Sequence, residues 1–572
     1  MNNKIKKIQN FLVNFKYDFI IITNNDLHLN ESPNLLCKDI FNLCGFDCSN
    51  GYLIIFKNEI SFFTDSRYLL AANKFFKKNV KVYDLQKYPI TEFLLKINSS
   101  SVGIVDPKLI SANMFVSLNK ILFKKNIKLI PHKKLPYKKN YYPDFKYSYA
   151  FSLPSSIVAR PFRDNLNLIK KKLNSDGALI WNNSHVAYLL NLRSFELDNS
   201  TKPFSGLFIF KKSEKPVLIT KNSSLININK IKKNFKVLNQ SKFIDYIFSK
   251  KLTSISSDLN EINFEIYKKI SKRIKILQTK IDIDLLKSKK TNIEIKNIKF
   301  CHGEDAISMI KFIFLIKNKL IDLKSEFHLS NLLYQIRKEG VNFFRNSFDY
   351  ISAFDENAAI VHYKPTEKKT KKFVNNKILL IDSGAHYLEG TTDITRVISL
   401  DRNISKNIKK KYTLILKSLI RLENYQFKRD ITGSDIDNFV RGYLSNNGIH
   451  YGHSTGHGVG YFNDVHEKYP VISKKFTKKI FNNNLFSIEP GCYFPNQYGL
   501  RIENLYISKI KNSVCTLENI TLVPYDTDLI DWSLLNKKEI SYINKFHLRL
   551  INIYSDRLSE NIVEYLKGSL IY

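Results

Sequence analysis

The sequence predicts a chain that is α/β in its N-terminal half and α+β in its C-terminal half, and three observations carry that expectation. Short β-branched and aromatic runs alternate with helical stretches up to about residue 290, the pattern of layered α/β domains. Beyond it, long helical periodicities stand beside hairpin-like stretches that carry Asp, His and Glu. At 572 residues the chain is too long for one core. It calls for about three domains of the usual size.

Residues 1–150 form the first expected α/β domain, with strands at FIIIT (19–23), GYLIIF (51–56), the start of SFFTDSRYLLAANKFF (61–76), VKVYDL (80–85) and SVGIVD (101–106). A second, 151–290, shows its pattern from Asp164, where LNLIKKKLNSDGALIW reads as a helix, a turn at Asp176-Gly177 and a strand. Thr291-x-x-Glu294 is a capping box ahead of a periodic run at Ile295, Ile298, Ala306, Ile310 and Ile313, so a long helix opens the third domain, 291–514. Ser325 to Lys338 reads as another helix, stopped at Gly340. Phe348 to Tyr363 reads as strand, turn, strand, with His362 at the end of the second strand. Ser405 caps a helix whose apolar face is Ile408, Tyr412, Ile415, Leu419 and Leu422, and Ser434-x-x-Asp437 caps the next, ending before Gly448. A last segment, 515–572, extends the third domain, and the sequence shows no internal repeat or low-complexity tail.

Composition narrows the function classes. Ninety Lys and Arg against 52 Asp and Glu give a net charge of +38, which could mark a nucleic-acid binder. The lysines are scattered among abundant Asn, Ile and Phe, as a global usage bias produces, and no basic motif or aromatic stacking module stands out. No specific nucleic-acid partner is expected. The cysteines at 37, 44, 48, 301, 492 and 515 have no CxxC spacing and read as free thiols of a reducing compartment. The N-terminus has no apolar run long enough for a signal peptide and no stretch reaches a membrane span, so a cytoplasmic enzyme without a membrane partner is expected.

The third domain is organised around Leu379 to Arg396, LLIDSGAHYLEGTTDITR. The apolar run Ile378 to Ile381 reads as a buried strand ending in Asp382; Gly384 and Gly390 bracket a turn, and Thr391 to Leu400 returns as a strand carrying Asp393. Paired as a hairpin, the two strands bring both carboxylates towards one point, where they repel unless a cation sits between them. Tyr451 to Glu467, YGHSTGHGVGYFNDVHE, adds His453, His457 and His466 among glycines, and Glu489 in SIEPG and Glu503 in RIEN follow. Two Asp, one His and two Glu, with no thiolate, suit Mn²⁺ or a related hard ion better than structural zinc, and two such ions would make a hydrolase.

These phrases in this order, TTDITR, TGHGVG, IEPG and RIEN, resemble those of the pita-bread metallopeptidases, and within them the long, three-domain Xaa-Pro aminopeptidases (aminopeptidase P). The phrase GFDCSNGYLIIF…FFTDSRYLLAA is similar to the first domain of that family, HVAYLLNLRSFELDNSTKPFSGLFIF to its second, and the segment from Cys515 to its C-terminal extension. The resemblance implies two N-terminal α/β domains, a C-terminal pita-bread catalytic domain, and an extension packed on it. Carried over, Asp382, Asp393, His457, Glu489 and Glu503 are the metal ligands for two divalent ions, expected to be Mn²⁺, with Asp393 and Glu503 as the bridging pair. His362, His453 and His466 match histidines that line the family's substrate site; His386 and His450 match none and read as structural.

The implied reaction is release of the N-terminal residue from peptides with proline second: a metal-bridging water loses its proton, Glu489 accepting it, and attacks the carbonyl before proline. The family also implies a homodimer. The chain departs from it at Ser194-Phe195-Glu196, at Ser454 and at Lys468-Tyr469, and Arg501 is expected to partner the carboxylates. The alternatives are a dipeptide-cleaving prolidase of the same fold, whose chains usually lack one N-terminal domain, and a peptide-binding homologue without chemistry, a class that loses ligands retained here.

Overall fold

The apolar run Phe19–Thr23 is a fully buried strand at the middle of a sheet. In the computed structural model, which describes residues 2–76, 79–137, 139–143, 150–212, 214–221 and 234–571, the chain divides into two compact units. One comprises Met1–Pro154 and Arg160–Asp282, the other Ser155–Ala159 and Ile283–Tyr572. Among the described residues the first unit holds two six-stranded mixed sheets. In the first, Phe19–Thr23 pairs antiparallel with Gly51–Phe56 and parallel with Val102–Val105. Ile60–Thr64 and Lys81–Asp84 extend one side, and Lys128–Pro131 extends the other.

The second sheet repeats that plan strand for strand. Gly177–Ile180 takes the central place, antiparallel to Gly206–Phe210 and parallel to Ser254–Ser257, with Val217–Ile219, Lys236–Leu238 and Lys275–Gln278 outside them. The sequence shows no repeat, but the fold does. The corresponding helices Ala112–Phe123 and Phe264–Ile270, capped by Ser111 and Asn263, meet each other. Ala112 N donates to Ile262 O and Phe264 N to Ile110 O, each at 2.9 Å, and Phe115 stacks on Phe264 at 3.8 Å between ring centroids.

The second unit is a set of antiparallel sheets backed by helices around one continuous apolar core. Thr291 and Glu294 form the expected capping box of helix Asn292–Lys317, whose Ile295, Ile298, Ala306, Ile310 and Ile313 are all buried. Glu326–Lys338 forms where a helix was read, with Ser325 as its cap, and Ser405 caps Lys406–Glu423 as read from the sequence. The central hairpin forms: Ile378–Ser383 pairs antiparallel with Ile394–Ser399, and Ile351–Phe354 flanks it. A six-stranded sheet orders Phe427–Lys428, Val514–Asn519, Asn504–Lys511, Leu485–Ile488, Gly456–Gly458 and Glu467–Ile472. Gly491–Phe494 and Tyr498–Arg501 form a separate pair, and helices Lys537–Tyr554 and Glu560–Lys567 end the described chain.

Three local expectations fail. After Ile351–Phe354 comes a 3₁₀ turn, Asp355–Ala359, rather than a second strand, so His362 lies in the turn that follows it. Asp355 has φ +41°, accepts from Ile378 N, and the turn packs so tightly on the pair Gly491–Phe494 and Tyr498–Arg501 that a Cβ on Gly499 would meet Ala358 O at 1.9 Å. Helix Gly433–Asn446 is capped by Thr432 and Asp435, two residues before the expected box. Asp437, free of capping duty, is buried and bound by Arg441 at 2.9 Å. His386, expected in the hairpin turn, sits instead in strand Ala385–Tyr387 with Nδ1 at 3.0 Å from Thr391 Oγ1.

All six cysteines are buried and unpaired with one another. No helix among the described residues is long and apolar enough to cross a membrane.

Candidate metal centre and active site

The hairpin sets the first two carboxylates. Asp382 ends the buried run Ile378–Ile381 and faces Thr395 in register; Ser383 faces Ile394, which puts Asp393 one step beyond, just before its strand. Glu503 is bridged to the same place, its backbone N donating to Thr395 O at 3.2 Å and its Oε2 accepting from Thr395 Oγ1 at 2.8 Å. One oxygen each of Asp382, Asp393 and Glu503 lie within 4.8 Å of one another, all on buried residues.

His457 and Glu489 arrive on the neighbouring sheet, and the chain makes room for their approach. Gly456 lies so close to the strand Leu485–Ile488 that a Cβ there would meet Ser487 O at 1.8 Å. A side chain would part the two strands. Ser487 Oγ then accepts from His457 N at 3.1 Å and donates to Glu489 Oε1 at 3.3 Å. Ligand atoms of His457, Glu489 and Glu503 also fall within 4.8 Å of each other, as do those of Asp393, His457 and His466.

The electrostatics of this cluster fit a cation. His457 Nδ1 lies 3.0 Å from Gly458 O, which can only accept, so Nδ1 carries the proton and Nε2 presents a lone pair. That lone pair faces Asp393 Oδ2 at 3.5 Å and Glu489 Oε1 at 3.4 Å. Lone pairs aimed at one another repel. Asp382 Oδ1 is buried with no hydrogen-bond partner among the described residues. Burial first, then the charges of Glu503, Asp382 and Glu489, push the Asp393 carboxyl well above the usual range, and burial raises Glu489 and Glu503 as well. Four carboxylates and one imidazole, short of positive charge, match the oxygen-rich donor set of hard divalent ions.

Arg501 binds the cluster from one side. Its Nη2 reaches Asp382 Oδ2 at 2.5 Å, Nε reaches Thr395 Oγ1 at 3.2 Å and Nη1 reaches Tyr493 OH at 2.9 Å. The sequence reading found Arg501 but missed Tyr493, whose hydroxyl also lies 2.8 Å from His453 Nε2. With Nδ1 of His453 directed at Ser454 O, 2.8 Å away, that hydroxyl donates to Nε2 and accepts from Arg501. The only signal for Tyr493 was its place four residues after Glu489, too weak to single it out.

The histidines take three positions. His453 Nδ1 lies 4.0 Å from Glu489 Oε2, and its loop is fastened by Arg441, which donates to the carbonyls of Tyr451 and His453 at 2.9 Å. The rings of His466 and His457 meet edge to face at 4.2 Å. His362 follows Val361, whose carbonyl lies 3.5 Å from Arg501 Nη2, so its turn borders the same cluster. Ser454 contributes a backbone carbonyl, and the Lys468-Tyr469 departure leaves Lys468 exposed and turns Tyr469 inward against Phe476, ring centroids 5.2 Å apart.

Known proteins resemble this chain in sequence and in fold. Residues 301–509 match the model of metallopeptidase family M24, and 513–569 match the C-terminal region of the same peptidase family. The Saccharomyces cerevisiae protein FRA1, classed by its name among the Xaa-Pro aminopeptidases, is 30% identical over an alignment covering 93% of this chain and 80% of that protein. Xaa-Pro aminopeptidase 1 of Dictyostelium discoideum is 29% identical, covering 100% of this chain and 96% of its own. The crystal structure of an X-prolyl aminopeptidase from Caenorhabditis elegans, described as a cytosolic enzyme with a di-nuclear active site, superposes with a TM-score of 0.91 over 99% of both chains at 24% identity, a likeness of fold. A carboxylate-rich centre on hairpins, the two family segments in series and a relative matched nearly end to end lead to one assignment: the chain belongs to the Xaa-Pro aminopeptidases of metallopeptidase family M24.

Proposed function

We propose that this protein is a metal-dependent aminopeptidase that releases the first residue from peptides with proline in the second position. The observation that carries the reading is the gathering of buried Asp382, Asp393 and Glu503 and half-buried Glu489 beside the Arg501 guanidinium, with the His457 lone pair turned towards Asp393 and Glu489. In this reading Asp382, Asp393, His457, Glu489 and Glu503 would hold two divalent ions. The oxygen-rich set favours Mn²⁺. Two such ions, when bound, supply a nucleophile from water near neutral pH and polarise the peptide carbonyl.

The chain's own groups do the rest. Glu489, whose carboxyl is raised by burial, is the proton acceptor for the attacking water. Cleaving the bond before proline releases a secondary amine, which leaves only once its nitrogen is protonated, and a positioned imidazole is suited to deliver that proton. His466, edge-on to His457, takes that part, while His453, held in one tautomer by Tyr493 and Ser454, and His362 line the substrate's path. The acidic site receives the substrate's free α-amine, which restricts cleavage to the first residue.

The protein is proposed to work in the cytoplasm as a homodimer, the exposed Ile293, Phe300, Val341 and Phe344 giving a second copy apolar surface to cover. The domain limits are proposed as two α/β domains, 1–150 and 151–290, ahead of a catalytic domain at 291–514 with the extension 515–572 packed on it.

The deciding experiment incubates purified protein and Mn²⁺ with matched Xaa-Pro-Xaa and Xaa-Ala-Xaa tripeptides and an Xaa-Pro dipeptide. Release of the first residue from the proline tripeptide above the other two is expected. Preference for the dipeptide would make the protein a prolidase, and no hydrolysis of any would leave a peptide-binding homologue.

A further inference from the structure

Glu467 follows His466 directly and is buried, yet it faces away into charge rather than apolar core. Lys290 Nζ lies 3.0 Å from its Oε2 and Lys287 Nζ 3.4 Å from its Oε1, and the three side chains are between 1% and 4% exposed. Lys290 Nζ also donates to Lys287 O at 2.9 Å, and Lys287 Nζ meets Asp284 Oδ1 at 3.4 Å, so two ammonium groups face two carboxylates. Such a cluster is a costly way to fasten one segment to another. Taking each ion out of water is costly, and apolar side chains of the same volume would do as well or better for stability. What a satisfied buried ion cluster supplies is one fixed geometry.

That geometry is fixed where the site is sensitive to it. Glu467 opens the strand Glu467–Ile472 and faces Gly458 in register, whereas His457 faces Val471, so the ladder slips between His457 and Gly458. A slipped ladder does not by itself set the residues on either side of the slip. Glu467 stands just past that slip, and His466, one residue before it and outside the strand, meets the His457 ring at 4.2 Å. The lysines come from helix Ile283–Ser288 and the two residues that follow it, Lys289 and Lys290. That segment is itself held to the sheet: Asn484 Nδ2 donates to Ser288 O at 3.0 Å and Lys290 N to Asn483 O at 3.1 Å.

We propose that Glu467, clamped between Lys287 and Lys290, is a positioning residue that fixes the His466 imidazole at the active site. The inference rests on the role given to His466 above and adds to it what holds that ring in place. Loss of the clamp therefore lets His466 drift without touching a proposed metal ligand.

The test is a double-mutant cycle read as kcat and KM on an Xaa-Pro-Xaa tripeptide, with metal content alongside. Glu467→Gln keeps the volume and removes the charge; kcat is expected to fall about 10-fold, the scale of a small misplacement of a reacting group. KM and metal content should stay as they were. In a His466→Ala background the same substitution should cost nothing further, and Lys290→Met should repeat both results through the other side of the clamp should Glu467→Gln not fold. Losses that multiply with His466→Ala, a loss that follows metal content, or a fully active Glu467→Gln would each overturn the clamp while leaving the His466 role intact. A fully active His466→Ala would remove that role and the clamp with it.

Discussion

Asp393 carries a negative charge where burial and three neighbouring carboxylates all oppose it, so its ionised form depends on cations. Asp393→Asn is therefore expected to lose or halve the bound metal and abolish turnover, measured by elemental analysis beside peptide hydrolysis. His466→Ala should keep its metal while turnover falls roughly 100-fold, the scale of a lost general acid. A His466 variant that lost metal would make the residue a ligand, an arrangement its proximity to Asp393 and His457 also permits. His450, exposed, is the control and His450→Ala should change neither quantity. His386 cannot serve, because it is 1% exposed and bonded to Thr391, whose hydroxyl also donates to Asn463 O at 3.2 Å near the His466 loop. At this scale the sequence was legible for residues whose charge has no bland reason to be there. Asp382 at the end of an apolar run and Glu503 among apolar neighbours announce themselves. Tyr493 and Thr395 do not, because a tyrosine or threonine in a strand is also ordinary packing.

At the scale of elements, the site depends on how closely two strands approach. Gly456→Ala would place a methyl 1.8 Å from Ser487 O, and neither backbone can yield without moving His457 or Glu489. Overpacking of this kind costs about 1–3 kcal/mol. A lowered thermal midpoint together with weakened metal retention is expected; an alanine variant as stable and as metal-loaded as the parent would show that the strands can part freely. Capping boxes and helical faces were readable in advance where side chain and backbone satisfy each other locally, as at Thr291 and Glu294. The reading failed where a distant element decided. The second strand expected before His362 is displaced by a turn that Asp355 and the close pass of Gly499 impose, and Asp437 was taken for a cap because one of its partners, Thr455, comes from the histidine loop, while Arg441 binds it from one turn further along its own helix.

For the whole molecule, the donor set predicts how the protein responds to metal exchange. Chelation should abolish activity, and Mn²⁺ should restore it more fully than Zn²⁺, because four carboxylates and one imidazole favour the harder ion even where zinc binds tightly. Full recovery with zinc and none with manganese would refute that assignment. That the two sheets of the first unit share one plan was invisible in the sequence, since matching a topology requires only that apolar runs fall at the same places, not that residues recur. One feature of that unit reaches further. Ala112 binds Ile262 and Phe264 binds Ile110, so residue i meets j as the counterpart of j meets i. Such an exchange is what a two-fold dimer interface looks like. Here both partners are on one chain, so their encounter is set by the tether at an effective concentration on the order of millimolar. The interface can stay closed with an intrinsic affinity that would leave two separate copies apart, which frees its residues to diverge until the repeat survives only as shape.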